Sequence, residues 1–343
     1  MKRLIKSPLF NVALLLVIGV LVLYFSLNED FEGIVTQLRS ANVQWAYFCI
    51  ALILLYYYLG GYLFKLYSNL FISSFTTTRG FILALIGAFG SAITPSASGG
   101  QIFQVTPFKK YGLKTSQTAS ILYLDFIIYQ CTMIGFVSLL FILKFSDYFK
   151  NGSPVFYVVL AGFLVNVVLM AALILLYKSK KFHYIVVNSV IKFLHKIKII
   201  KDPQKSIDKI NNQVDYFHES SKLIENNKKL LVKAVLINVM RFIVYYSIPY
   251  FVILTLNIEL DASRIVDVIC LTAFVSMVNA FIPVPGASGG TEITFVTVFA
   301  PLMGSGILSV MLVWRFITFY FVLVLGGLVL FLTRRYQIQR LES

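Results

Sequence analysis

Long apolar runs separated by short polar segments are the dominant pattern of this chain. The strongest runs cover about 9–27, 45–66, 118–143, 155–177, 231–256 and 307–333. Each of them is long enough to cross the roughly 30 Å hydrocarbon core as a helix, which takes about 20 residues. The pattern predicts an all-α polytopic membrane protein, folded as a single membrane domain over residues 1–343, with about six full spans.

Two weaker apolar segments, 79–108 and 265–304, are interrupted by nearly the same peptide. The sequence TPSASGG begins at Thr94, and VPGASGG begins 190 residues later at Val284. Proline and glycine end helices, and the 14 residues from Phe81 to Thr94 reach only about 21 Å as a helix. We therefore predict two re-entrant hairpins whose tips meet near the middle of the membrane.

The distribution of Lys and Arg predicts how the spans are oriented. Basic residues are concentrated at the N-terminus, in the amphipathic segment 178–230 and after residue 333, whereas segment 28–44 is acidic. Cytoplasmic loops carry the excess of Lys and Arg, so both termini are expected inside. A first repeat at about 45–144 and a second at about 231–333 would then have opposite orientations, which is an inverted-topology repeat.

Composition supports a membrane domain and argues against a soluble, metal-binding or nucleic-acid-binding protein. The chain is 58% hydrophobic and 13% charged, with a mean hydropathy of +0.82, whereas soluble domains are about 25% charged. The three Cys and three His lack the spacing of a metal site or a disulfide framework, so we expect no cofactor. The net charge of +15 follows the topology and forms no basic domain, so no nucleic-acid partner is expected.

Four ionisable residues fall within apolar segments, where each costs about 2.5–3.5 kcal/mol or more: Asp125, Arg241, Glu292 and Arg315. The 190-residue offset aligns Asp125 with Arg315, so we expect these two to face each other, either as a structural clamp or as substrate contacts. Arg241 could bind a phosphate bidentately or extend to the membrane interface. The run Tyr56–Tyr58 is typical of an interfacial belt or a packing surface.

Non-helical backbone at membrane depth is tolerated only inside protein or beside a wet cavity, and helix ends with free N–H groups bind anions. The two hairpin tips therefore predict a polar cavity for a lipid head group. Its candidate lining residues are Ser98, Gly99, Gly100, Gln101, Asp125, Arg241, Ser288, Gly289, Gly290, Glu292 and Arg315.

The stretches TPSASGGQIFQVTPFKKYGLKTSQTA, IPVPGASGGTEITF and MLVWRFITFYFVLVLGG resemble the lysylphosphatidylglycerol synthase transmembrane-region family, also called flippase-like. In the two-domain multiple peptide resistance factor, a similar membrane domain precedes an aminoacyl-transferase domain that makes lysyl-phosphatidylglycerol. The resemblance implies transport of that lipid to the outer leaflet and resistance to cationic peptides. It also implies a bacterial inner membrane. The chain ends at Ser343, about ten residues after its last span, so we expect no synthase domain.

The sequence thus predicts a flippase or transporter of phosphatidylglycerol or lysyl-phosphatidylglycerol. One alternative is a lipid-modifying transferase, such as the phosphatidylglycerol lysyltransferase of family naming, with Asp125 or Glu292 as general base. Another is a membrane partner of a separate synthase or cell-wall enzyme. A homo-oligomer is possible in each case.

Overall fold

The computed structural model describes most of the chain, and its regular elements are helices. The described residues are 33–94, 99–149, 154–179, 221–279, 284–303 and 306–342, with isolated positions at 181, 184–185, 188–189, 191, 219 and 282. The predicted span 9–27 and most of the amphipathic segment 178–230 lie outside these ranges. The prediction of an all-α polytopic membrane protein is confirmed.

The described helices form two similar series. The first series is α1 (Val43–Ser68), α2 (Thr77–Ala92), α3 (Gly100–Lys110) and α4 (Thr115–Phe149). Helix α5 (Pro154–Lys178) follows the first series. The second series is α6 (Lys228–Thr255), α7 (Ile265–Asn279), α8 (Gly290–Met303), α9 (Ile307–Arg315) and α10 (Phe321–Glu342). A 3-10 turn, Ala262–Arg264, precedes α7, and a π-helical turn, Phe316–Tyr320, joins α9 to α10.

Five segments among the described residues are long and apolar enough to cross a membrane. They are Val43–Ser68, Thr115–Lys144, Lys228–Thr255, Ala262–Asn279 and Ile307–Thr333. Helices α2, α3 and α8 have only 16, 11 and 14 residues, too few to cross alone. The segment Ala262–Asn279 differs from our expectation of a short hairpin arm, because the 3-10 turn extends α7 to 18 residues.

The packing of the two series follows the same pattern with the partners exchanged. Helix α1 packs along α6, so the two leading helices face each other. The last helix of the second series, α10, packs against the hairpin arm α2, and the last helix of the first series, α4, packs against the hairpin arm α7. A pseudo-two-fold arrangement produces such exchanged contacts. The repeat boundaries and the opposite orientation of the repeats in the membrane stay predictions.

Ionic contacts connect the series at the end of α4. The Asp267 carboxylate lies 2.8 Å from Lys144 Nζ on α4 and 3.0 Å from Arg264 in the turn before α7. Asp267 is 3% exposed, so two cations offset the cost of burying its charge. Beside this turn, a hydrogen bond from Ser263 lowers the pKa of the exposed Asp261 carboxyl.

Adjacent glycines bring α1 and α2 into backbone contact. A Cβ atom on Gly61 would collide with the backbone of Phe81, and one on Gly80 would collide with the carbonyl of Gly61. Small residues at helix crossings are typical of membrane proteins, where close approach increases van der Waals contact. This crossing fixes the first hairpin against the span that precedes it.

We expect Gly61→Ala to reduce stability because the two backbones would have to separate. Overpacking of this kind costs about 1–3 kcal/mol, and thermal unfolding of the detergent-solubilised protein measures it. Gly135→Ala is the matched control, since a Cβ at this position in α4 meets nothing within 4 Å. Equal midpoints for the two variants would contradict the close crossing.

Candidate functional site

The second tip is a turn that relies on left-handed backbone conformations. Gly286 has φ of 62°, Ala287 of 51° and Gly289 of 86°. Ala287 is unusual, because residues with a Cβ seldom adopt positive φ. The surrounding contacts must therefore hold the turn in place: the Ala287 N–H donates to the Val284 carbonyl at 2.9 Å, and a charged pair adds to this.

Arg315, at the end of α9, holds this turn together with Glu292. Arg315 Nε donates to Glu292 Oε1 at 2.7 Å, and its Nη2 donates to the Gly286 carbonyl at 3.1 Å. The second Glu292 oxygen accepts from the Gly289 N–H at 2.7 Å. Arg315 is 6% exposed and Glu292 is 4% exposed. Charge-assisted hydrogen bonds of this length are the strong ones, so the pair closes the tip against α9.

The expected pairing of Asp125 with Arg315 is wrong. Arg315 pairs with Glu292 of its own series, because α8 and α9 contact each other and bring the two side chains together. No ion pair joins Asp125 to Arg315 within the described parts of the chain. The offset aligns their positions in the sequence, but the two residues face different neighbours.

The first tip is organised differently. Ser98 lies outside the described residues. Thr94 Oγ1 donates to the Gly90 carbonyl at 2.8 Å and accepts from the Gly99 N–H at 2.8 Å. A neutral hydroxyl therefore pairs the Gly99 N–H, whereas a carboxylate pairs the Gly289 N–H at the second tip. Sequence reasoning could have identified Thr94 as a tip contact from its position directly before the tip proline.

Close contact between α2 and α3 explains the glycines on either side of the first tip. A Cβ on Gly100 would collide with Ser91 Oγ, and one on Gly87 would collide with the Gln104 amide. Gln104, which sequence reasoning missed, is buried and donates from Nε2 to the Leu83 carbonyl at 2.9 Å. Gln101 is instead on the exposed surface of α3, so it does not take part in this contact.

A second charged site surrounds Arg241 in the middle of α6. The guanidinium carbon lies 4.6 Å from the ring centre of Tyr56 on α1 and 5.3 Å from that of Tyr129 on α4. Arg241 Nη1 donates to Asn238 Oδ1 at 2.8 Å. The residue is 9% exposed. It therefore lies inside the bundle, where two aromatic faces stabilise the cation, and does not extend to an interface.

The Nε edge of Arg241 is the part that remains available. Nε is buried without a hydrogen-bond partner, and Nη2 lies beside Gly60, where an added Cβ would be 3.1 Å away. Among the described residues, no carboxylate lies within 4.0 Å of Arg241. A buried, unneutralised guanidinium is costly, and a planar Nε–Nη2 edge matches the two oxygens of a phosphate.

Further polar atoms without partners lie close to Arg241. Asp125 Oδ1, Asn238 Nδ2 and Tyr67 Oη are all buried and make no hydrogen bond in the structure. Tyr67 interacts electrostatically with both Asp125 and Arg241. Natural proteins leave few buried polar atoms unpaired. We call Tyr56, Tyr67, Asp125, Tyr129, Asn238 and Arg241 the Arg241 cluster.

The tyrosine run divides between interior and surface. Tyr56 covers Arg241 and lies 5.0 Å, ring centre to ring centre, from Tyr245 on α6. Tyr58 is 49% exposed and lies near Phe81. Only Tyr58 thus fits the expected interfacial belt, whereas Tyr56 belongs to the charged site.

The described residues contain no group of three or more His, Cys, Asp or Glu that could hold a metal ion.

Since Arg315 and Glu292 form a buried pair, we expect Glu292→Gln to destabilise the protein by about 3–5 kcal/mol. The double variant Glu292→Leu, Arg315→Leu should recover much of this loss, because no unpaired charge remains. Arg264→Gln is the control: it removes a half-exposed partner of Asp267 while Lys144 stays, and should cost about 0–1 kcal/mol. Thermal unfolding in detergent measures all three. A double variant no more stable than Glu292→Gln would contradict the pairing.

Comparison with known proteins gives one match. Neither the curated proteins nor the solved structures contain a significant match to the chain. A family model described as the lysylphosphatidylglycerol synthase TM region matches residues 11–326, which includes both hairpin tips and the Arg241 cluster. The chain therefore belongs to the lysylphosphatidylglycerol synthase TM region family.

Proposed function

We propose that this protein moves a phospholipid between the leaflets of a bacterial inner membrane, with both termini in the cytoplasm. The lipid is of the phosphatidylglycerol or lysyl-phosphatidylglycerol class, and its phosphate binds Arg241. The observation that carries the proposal is the buried Arg241 guanidinium, which lies over the rings of two tyrosines but is unneutralised at its Nε edge. A multi-pass membrane protein of this family has an evident source of such an anion in the surrounding lipid.

The geometry of the Arg241 cluster favours a phosphate over a compact anion. The rings of Tyr56 and Tyr129 contact the guanidinium, and Asn238 holds one end of it. Little side-chain entropy is therefore lost when two parallel hydrogen bonds form to a phosphate. Gly60 packs against the guanidinium, and a Cβ added there would lie 3.1 Å from Nη2, so a larger side chain at this position would displace the group.

A lateral groove provides support for a lipid rather than a water-soluble ligand. A cavity of about 270 Å³ lies between α3 and α10. Its lining is mostly apolar with one basic residue at the α3 end: Ile102, Phe103, Thr106, Pro107, Lys110, Leu330 and Thr333. Walls from both series thus form a surface suited to an acyl chain, while a head group would be held inside the bundle.

The two tips have a supporting role in this proposal. Glu292 and Arg315 satisfy each other and the second turn, so neither is free to bind a head group without breaking that contact. The same engagement weakens the transferase alternative that uses Glu292 as general base, since a general base needs an available carboxylate; Asp125 is not engaged in this way. We assign the tips to closing each hairpin and Arg241 to binding the phosphate.

Leaflet exchange in proteoliposomes tests the proposal. The purified protein is reconstituted with fluorescent phosphatidylglycerol or lysyl-phosphatidylglycerol, and dithionite quenches the label in the outer leaflet. We expect wild-type protein to allow quenching well beyond half of the signal. Arg241→Ala should slow exchange at least tenfold, because the phosphate would cross without its ionic partner, and Gly60→Val should also slow it by displacing the guanidinium.

Two matched variants separate the site from general effects. Arg39→Ala removes an arginine at an exposed position before α1, and Gly135→Ala adds a Cβ in open space; both should exchange lipid at the wild-type rate. Quenching that stops at half with folded wild-type protein would refute lipid movement for these lipids. Rapid exchange by Arg241→Ala would refute the assigned site while leaving lipid movement intact.

A further inference from the structure

Asp125 has a buried carboxylate oxygen that makes no hydrogen bond, although the residue as a whole is partly exposed. It lies on α4 ten residues after the first residue of that helix, within a span. Its Oδ1 is buried and has no hydrogen-bond partner, and no cation lies within 4.0 Å of it among the described residues. An ionised carboxylate buried in this way is costly unless it gains a partner or a proton.

Among the charges around Asp125, that of Arg241 is the one that a bound phosphate would neutralise. Arg241 on α6 acts electrostatically on Asp125, and Asp125 in turn acts on Tyr67 of α1. Helices α1, α3, α5, α6 and α7 pack against α4, and their other described charged residues lie near the helix ends: Lys65, Lys109, Lys110, Lys178, Lys228, Lys229, Lys233 and Asp267. The positive charge of Arg241 is therefore what favours the ionised form of Asp125 when the site is empty.

An anion bound to Arg241 changes this balance. The phosphate would neutralise the guanidinium and bring its own negative charge toward Asp125. Like charges in a shared site oppose joint ionisation. The bound state thus favours a neutral Asp125 carboxyl, and by linkage a neutral carboxyl favours the bound phosphate.

We propose that Asp125 is a proton-binding site coupled to the phosphate site, so that the anionic lipid and one proton bind together. The proton adds to the carboxylate oxygen of Asp125 as the phosphodiester binds to Arg241, and both leave together. Phosphatidylglycerol then occupies the bundle with no added net charge, which lowers the cost of carrying it across the hydrocarbon. The inference rests on the proposed function, and it makes lipid movement responsive to a proton gradient.

Binding of a soluble short-chain phosphatidylglycerol to the detergent-solubilised full chain tests this coupling. The Kd should fall by up to tenfold for each unit that the pH is lowered across the titration of Asp125, since one proton is linked to one ligand. In weakly buffered solution, a pH indicator should report about one proton taken up per bound lipid. The phosphodiester stays ionised across this range and does not contribute.

Substitutions at Asp125 identify the proton-binding group. Asp125→Asn resembles the neutral carboxyl in shape, so it should bind the lipid with the low-pH affinity of wild type at every pH and take up no proton. Asp125→Glu should keep the pH dependence. Glu259→Gln removes a carboxylate at an exposed position and should behave as wild type.

Each contrary result has a distinct meaning. Wild-type binding that is independent of pH, or a pH dependence that persists in Asp125→Asn, would overturn proton coupling while leaving the Arg241 site in place. Short-chain lysyl-phosphatidylglycerol could bind wild type far more tightly than Asp125→Asn, while phosphatidylglycerol binds both equally. That result would show that Asp125 binds the ammonium group of the lipid instead of a proton. Binding to wild type no tighter than to Arg241→Ala would overturn the phosphate site itself, and the coupling with it.

Discussion

A buried charge in this bundle must find a partner inside the protein, because hydrocarbon offers none. The structure meets this constraint in two different ways. At the second tip, Arg315 and Glu292 satisfy each other and two groups of the turn, Gly286 and Gly289. In the Arg241 cluster, the cation is stabilised by aromatic faces and one amide but keeps an unpaired edge. The satisfied ion pair supports the structure of the turn, whereas we propose that the unpaired edge of Arg241 binds a ligand.

The same constraint explains why the two halves share a pattern without sharing their chemistry. Both tips need their backbone N–H groups paired, but Thr94 pairs that of Gly99 in one and Glu292 pairs that of Gly289 in the other. A carboxylate at the second tip requires a cation, and Arg315 supplies it. In the described part of the first tip a hydroxyl takes this place, and no ion pair joins Asp125 to it. Asp125 belongs instead to the Arg241 cluster, where we propose that it binds a proton.

Much of the architecture could be predicted from the sequence, since span length and helix-breaking residues act locally. The apolar runs and the two tips at Pro95 and Pro285 follow from such local rules. The pairing of charges could not be predicted in this way. Whether Arg315 meets Asp125 or Glu292 depends on how each helix is rotated and which neighbour it packs against, and the offset of 190 residues reports only equivalent positions. Tyr56 illustrates the same limit, because its aromatic neighbours in the sequence resemble an interfacial belt although its ring covers Arg241.

Two consecutive glycines on α1 separate the rigid contacts from the binding contacts. Gly61 faces α2 of its own series, where the backbones touch and no side chain could be added. Gly60 faces Arg241 on α6, in the opposite series, where the neighbour is the end of a flexible side chain. Backbone contact also joins the two series, because a Cβ added to Gly326 of α10 would collide with the Leu85 carbonyl of α2. The Arg241 cluster lies on the Gly60 face, between α1 and α6, where the contact is made by a long side chain and not by two backbones.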